Sequence, residues 1–286
     1  MNAPAEPGGI LVVGDVIDDT VVIPSSPIRP DTDTASTIRR VAGGSAANTA
    51  AWLAALGADV SFVGAVNAAD VARHTALLPG VDVHLQARDA ATGAIVVLVQ
   101  GADRSMLTDR GANAELDFDA IPDVLIRGHV HLTGHSMAAS DGTEFSRFLR
   151  RAKAAGATVS VSPGSVAYID ALGAGRFGEV ITGADVLFAS LVEGAALAGA
   201  SDPTEIAARV DAPTLVLTLG ADGVIVDGVH VPAATAPSVI DPTGAGDAFC
   251  AGFLARWTHD RDAVAAARAG TEVAARAVGV VGGRPV

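Results

Sequence analysis

Ile240-Asp241-Pro242-Thr243-Gly244-Ala245-Gly246-Asp247-Ala248-Phe249 is a Gly/Pro-rich turn that opens directly onto a helical pattern. Phe249, Phe253 and Trp257 follow at four-residue spacing, which puts three aromatics on one helix face. The glycines therefore sit at a helix N-terminus, where free N–H groups and the positive dipole end attract an anion. Small residues at Gly244, Ala245 and Gly246 let a phosphate approach the main chain. Asp247 is out of place beside an anion unless it does chemistry there, taking a proton from an incoming hydroxyl. Helix capping is the competing reading of that aspartate, and the sequence leaves both open.

Composition narrows the class. Half of the 286 residues are apolar (50%) and 18% are charged, enough for a sizeable core and unlike a disordered chain. The net charge of −13 and the absence of any Lys/Arg cluster argue against a nucleic-acid partner. An anionic nucleotide would have to be held by local features, against the overall field. Cys250 is the single cysteine, so no internal disulfide can form, and its place one turn into the helix suits packing. Met1 to Gly8 lacks a basic region and an apolar core, and no apolar run reaches the ~18 residues of a membrane helix, so the expectation is a cytoplasmic protein.

Along the chain, residues 1–9 read as a mobile tail and Ile10 to Val13 as a buried strand ending at Gly14. Thr20 to Ile23 and Ser36 to Val41 read as short strands, Ala47 to Leu56 as a helix and Val60 to Val63 as a strand. Asn67 to Leu78 is expected to be helical. Ile95 to Gln100 and Ser105 to Asp109 form a hairpin around Gly101-Ala102-Asp103. From Val130 onward strands and helices alternate, which predicts a mostly parallel sheet covered on both faces. Val224 to Val226 and His230 to Pro232 suggest a small hairpin, and Asp262 to Val278 a last helix.

A second glycine turn, Gly43-Gly44-Ser45-Ala46-Ala47-Asn48-Thr49-Ala50, precedes the C-terminal motif. Together the two resemble the paired signatures of the ribokinase, or PfkB, family of carbohydrate and nucleoside kinases, from about Ile10 to about Gly283. That resemblance implies a ribokinase-like three-layer α/β/α sandwich over residues 10–286, with a small β-sheet lid drawn from about 18–41 and 92–113. It implies phosphoryl transfer from ATP, with Mg2+, to a hydroxymethyl group of a sugar or a nucleoside. Asp247 would be the base, and the N–H groups around Gly244, Ala245 and Gly246 the anion hole.

The other site positions follow residue by residue. Asp19, five residues after Gly14, matches an aspartate that binds sugar hydroxyls; Asp15 and Asp18 beside it are read either as further substrate contacts or as solvated loop carboxylates. A carboxylate suits two adjacent hydroxyls because it accepts from both. Gly43, Gly44 and Asn48 match the turn that contacts substrate, and an amide can orient a hydroxyl by donating and accepting. Thr218, Gly220 and Gly223 resemble the nucleotide loop at a strand end.

The family's Asn-x-x-Glu is Ser190-Leu191-Val192-Glu193 here. Glu193 is kept for the metal environment, but Ser190 is shorter than Asn. Ser162 likewise stands before Pro163 where relatives often carry Asp or Asn. Asp241 and Thr243 match positions that bind a monovalent cation such as K+ in some relatives. His129, His131 and His135 look like a metal cluster, but their strand context favours hydrogen-bonded histidines. Arg104 in the hairpin is either solvated or a contact to an anionic substrate group. Val21-Val22-Ile23 on the lid suggests a homodimer packed through two lids. A non-catalytic ligand-binding relative is the alternative that Ser190 raises and Asp247 opposes.

Overall fold

The computed structural model describes residues 8–100, 103–137 and 141–285, with the backbone alone at 100, 103 and 104. Gly101 and Ala102 of the expected hairpin turn, residues 1–7 of the expected tail and the side chain of Arg104 lie outside the described residues.

The chain runs β1 (Ile10–Val13), β2 (Ile17–Pro24), β3 (Ser36–Gly43), α1 (Ser45–Ala55), β4 (Val60–Asn67), α2 (Val71–Ala76), β5 (Asp82–Arg88), β6 (Ala94–Gln100) and β7 (Asp103–Asp109). It continues with β8 (His129–Thr133), α3 (Thr143–Ala154), β9 (Thr158–Ser162), α4 (Val166–Leu172), α5 (Ala174–Val180), β10 (Val186–Ser190), α6 (Leu191–Ala198), α7 (Pro203–Arg209) and β11 (Thr214–Thr218). The hairpin β12 (Val224–Val226) and β13 (Val229–Val231) precedes α8 (Ala245–Asp260) and α9 (Ala263–Ala277).

Nine strands form the large sheet, in the order β13-β12-β11-β10-β9-β8-β1-β4-β5. Seven of them, from β11 to β5, are parallel, and the β12–β13 hairpin closes one edge antiparallel. The central strands are apolar throughout because both faces are covered. Val12, Phe62 and Phe188 pack under α1, α8 and α9, while Leu11, Val13, Val63 and Leu132 pack under α3 and α5. Helix α3 shows why it sits there: Phe145, Phe148, Leu149 and Ala152 make one buried stripe at i, i+3, i+4, i+7. Each such aromatic contributes about 1.5–3 kcal/mol by burial.

Parallel strands bring their C-terminal ends to one edge, and the chain leaves that edge at Gly14, Gly134, Pro163, Leu191 and Leu219. Ligands of open α/β sheets bind at such an edge. Four strands form a separate small sheet in the order β3-β2-β6-β7. In it Asp19 pairs with Val41 on one side and Ile95 on the other.

The expected helix over 67–78 is corrected. β4 continues to Asn67, a 3₁₀ turn occupies Ala68–Asp70, and α2 is only Val71–Ala76. Asn67 causes the break: its side chain accepts from Ala69 N at 3.0 Å and donates to the carbonyls of Asp89 and Ala90. The sequence reading also passed over β5, α4, α5 and α7.

Candidate active site

Helix α8 begins where the motif placed it. Gly244 is its N-cap, in a left-handed conformation (φ 76), and a Cβ there would lie 2.4 Å from Gly283 Cα. The aromatic stripe anchors the helix: Phe249, Phe253 and Trp257 are buried, and Phe253 meets Phe188 edge-on at 5.1 Å. Asp247 therefore lies in the first turn and is not the N-cap; no side chain caps this helix. Its Oδ2 accepts a hydrogen bond from Asn48 Nδ2 at 2.9 Å, across from the first turn of α1. Burial pushes the Asp247 carboxyl up to about 7, the Asn48 hydrogen bond pulls it down, and the Asp15 charge pushes it up again. A carboxylate poised near neutral pH suits a general base.

Three carboxylates follow β1, and the structure separates them. Asp15 is buried and accepts from Ser45 N at 2.8 Å, Ala46 N at 3.2 Å and Thr133 Oγ1 at 3.0 Å, so it ties α1 to β8. Asp18 holds Arg73 in a two-pronged ion pair at 2.7 and 2.6 Å, which keeps its carboxyl below the usual range. Asp19 alone is uncommitted: its Oδ1 is buried without a partner. Burial, then the Asp15 charge, pushes its carboxyl up to about 7. A Cβ at Gly43 would stand 2.2 Å from Asp19 Oδ2, which is why a glycine faces this aspartate.

Arg284 is a site residue that sequence reasoning missed. The segment after α9 threads back between α1 and α8, held by Trp52 Nε1 donating to Gly283 O at 2.9 Å. From there Arg284 Nε donates to Asn48 Oδ1 at 3.2 Å and Nη2 to Gly43 O at 2.9 Å. Burial lowers its guanidinium to about 10, opposed by the charges of Asp19, Asp18, Asp15 and Asp247. Asn48 thus spans the site, donating to Asp247 and accepting from Arg284. The only signal in sequence is a lone cation after Gly282-Gly283, with partners far away in the chain.

Two adjoining cavities flank α8. One of about 440 Å³ is lined by Thr218, Gly220, Gly223, Ala245, Gly246 and Phe249, among mostly apolar residues. The other, about 170 Å³, is lined by Ser162, Ser190, Glu193, Thr218, Gly246 and Asp247. Thr218 and Gly246 border both, so the helix N-terminus faces their junction.

The Ser190–Glu193 pair is a capping box. Ser190 N and Oγ each lie 2.8 Å from Glu193 Oε2, and Glu193 N donates to Ser190 Oγ at 3.3 Å. Among the described residues no three His, Cys, Asp or Glu gather as a metal cage. The hard oxygens of Glu193, Ser190, Ser162 and Asp247 around one cavity do fit Mg2+, which keeps its waters and binds through few protein ligands. At the expected monovalent-cation position, Asp241 Oδ1 accepts from Thr243 N at 2.9 Å and Oδ2 from Gly282 N at 3.1 Å.

The histidines are not a metal cluster. His129 Nε2 and His131 Nδ1 share Ser160 Oγ at 2.8 Å each, and burial pushes His131 down to about 4. His135 lies apart, in the turn after β8. Cys250 is buried, and burial pushes its thiol up, away from the reactive thiolate.

A two-faced parallel sandwich with a glycine-rich helix start, a poised carboxylate and paired cavities is the arrangement of a sugar or nucleoside kinase. The chain belongs to the pfkB family of carbohydrate kinases, whose model matches residues 8–285. A curated relative, an ATP-dependent ribose-1-phosphate kinase from Halopiger xanaduensis, is 34% identical over 248 residues, covering 82% of this chain and 80% of that protein. Among solved structures, a probable sugar kinase from Rhizobium etli aligns with a TM-score of 0.84 at 24% identity, covering 98% of this chain and 96% of the other. Adenosine kinase from Sinorhizobium meliloti aligns with the same score, identity and coverage. These two likenesses establish the fold. No helix among the described residues is long and apolar enough to cross a membrane.

Proposed function

We propose that this chain transfers the terminal phosphoryl group of ATP to the hydroxymethyl oxygen of a pentose 1-phosphate. The observation that carries the transfer is Asp247, held by Asn48 at 2.9 Å beside the Gly246 N–H at the junction of the two cavities. The choice of acceptor leans on the ribose-1-phosphate kinase relative.

The apolar cavity takes the nucleoside of ATP, and the Thr218 and Gly220 loop steers its phosphates toward α8. Asp19 and Asn48 hold the sugar hydroxyls. Asp247 then accepts the proton of the attacking alcohol, while the N–H groups of Gly246 and Asp247 hold charge on the transferring group; the Ala245 N–H expected beside them donates instead to Pro242 O at 3.2 Å. Glu193, Ser190 and Ser162 would hold Mg2+, which would supply neutralising charge to the ATP phosphates. The small sheet is the lid: it carries Asp19 and excludes water when the site closes. ADP release measured over ribose 1-phosphate, ribose, adenosine and pseudouridine tests the reading. Rapid turnover of the first supports it; the same slow ADP release with and without every acceptor would leave a ligand-binding relative instead.

Gly246→Ala separates catalysis from folding. A Cβ there meets nothing within 4 Å, so the free enzyme accepts it, and alanine in a helix stabilises by about 0.5–1 kcal/mol. The methyl group nevertheless stands where a phosphate must approach the N–H groups. Turnover is expected to fall by roughly 10²-fold, the order of losing one oxyanion-hole donor. The melting temperature should hold or rise. A fully active variant would remove Gly246 from the anion hole.

The reading includes a symmetric dimer through the lids. Support comes from the sheet face opposite Asp19, where Val22 shares a side with Ile38, Val96 and Leu107, which are 62%, 37% and 65% exposed. An apolar face of that kind marks an interaction surface. Light scattering should give about twice the 28.5 kDa chain mass, and Ile38→Asp should halve it. A wild-type monomer would count against the dimer.

A further inference from the structure

A second polar cluster stands where β7 returns the chain to the large sheet. Arg110 directly follows β7. Its Nη2 donates to the backbone oxygen of His135, its Cζ lies over the Tyr168 ring, 5.5 Å from the centroid, and its Nη1 is buried with no hydrogen-bond partner. The His135 and Tyr168 rings meet edge-on at 5.2 Å, with Nδ1 and the hydroxyl 3.3 Å apart. Burial lowers the guanidinium's affinity for its proton, and among the described residues no carboxylate lies within ion-pair reach of it. Arg110 is half-buried, and a buried guanidinium N–H without a partner is a donor that an anion can satisfy.

The cluster is fixed to the acceptor site. Asn113, three residues after Arg110, exchanges two hydrogen bonds with Val16: Val16 N donates to Oδ1 and Nδ2 donates to Val16 O, each at 3.0 Å. Val16 lies between Asp15 and Asp19. On the other side Thr133, two residues before His135, donates to Asp15 at 3.0 Å. Asp15 acts electrostatically on Arg110 and Tyr168 as well as on Asp19 and Asp247. The cluster is thus built from the chain just after β7, the turn after β8 and helix α4, while Asp247 comes from α8. A sugar whose hydroxymethyl group faces Asp247 extends its other end away from α8. In a chain of net charge −13, an anionic end needs a local cation.

We infer that Arg110, with the hydroxyl of Tyr168 and the ring of His135, is a subsite for the anionic group of the acceptor, a phosphate monoester at the end of the sugar remote from the reacting hydroxyl. It rests on the kinase reading above and adds the residues that choose a charged acceptor over a neutral one. A guanidinium matches phosphate and carboxylate alike, so a sugar acid is the other source of the same chemistry.

The test compares wild type, Arg110→Gln, Tyr168→Phe and, as a rival cation, Arg284→Gln, using ribose 1-phosphate, ribonate and ribose. The ratio of kcat/KM for ribose 1-phosphate to that for ribose is expected to fall roughly 10- to 150-fold in Arg110→Gln, the effect of losing a charge-assisted hydrogen bond. Tyr168→Phe should lower it less. A wild-type preference for ribonate, abolished by Arg110→Gln, supports the subsite with a carboxylate as its ligand. An unchanged ratio in Arg110→Gln overturns the inference, as does a loss of selectivity in Arg284→Gln alone. Calorimetry of ribose 1-phosphate with wild type and Arg110→Gln, without nucleotide, keeps the two readings distinguishable. Wild type that binds but never phosphorylates fails the kinase reading, and the loss of binding in Arg110→Gln still decides the subsite.

Discussion

Asp247→Asn is expected to lower kcat by roughly 10²- to 10⁴-fold while leaving acceptor and nucleotide binding nearly intact, the range for removing a positioned general base. An asparagine keeps the oxygen that accepts from Asn48 Nδ2, so the 2.9 Å link and the start of α8 survive. The wild-type carboxyl, pushed up to about 7 by burial, works as a base only when ionised. kcat/KM should therefore fall as pH drops below about 7, and that limb should vanish in the variant. Stability depends on pH in the opposite sense. A carboxyl with a raised folded-state pKa favours the fold fully below its unfolded value near 4 and loses that contribution as pH rises through 7. At pH 8 Asp247→Asn should consequently melt no lower than wild type. Steady-state kinetics between pH 5.5 and 9 check the first point; near wild-type turnover would remove Asp247 from the base role.

Asp19→Ala is expected to raise the acceptor KM about 10- to 150-fold, with ATP affinity almost unchanged. Asp19 Oδ1 has no partner in the free protein, so truncation strands no donor. Removing a half-buried carboxyl pushed up to about 7 should also spare the fold at neutral pH. Calorimetry of acceptor and ATP analogue separates the two ends. Equal losses for both ligands would place Asp19 away from the acceptor.

The parts of the molecule readable in sequence were those whose signals are local. Phe249, Phe253 and Trp257 repeat at helical spacing beside a glycine turn, so α8 and the position of Asp247 at its start are written in one short stretch. The central strands are apolar because both faces are covered, and their alternation with helices gave the parallel sheet.

What failed was set by tertiary contacts. β5 is the exception: Val83, Leu85 and Ala87 alternate with His84, Gln86 and Arg88, the local pattern of a half-buried edge strand, so it was legible in sequence. The helix expected over 67–78 merged a strand end with a short helix because nothing in the spacing shows Asn67 reaching Asp89 and Ala90. Asp15, Asp18 and Asp19 are near neighbours in sequence, and only their partners tell them apart: two N–H groups and Thr133 for the first, Arg73 for the second, none at Oδ1 for the third. Arg284 and Arg110 were invisible for the same reason. Each is an isolated cation whose significance lies in groups brought to it by the fold.

The most direct measurement is ³¹P NMR of the wild-type protein turning over ATP, Mg2+ and ribose 1-phosphate. The expected result is one ADP formed for each new phosphate monoester, with the new phosphorus coupled to the two hydrogens of the sugar's hydroxymethyl carbon. Inorganic phosphate as the sole new signal, or a phosphoryl group on a ring hydroxyl, would contradict transfer from ATP to a hydroxymethyl oxygen presented to Asp247.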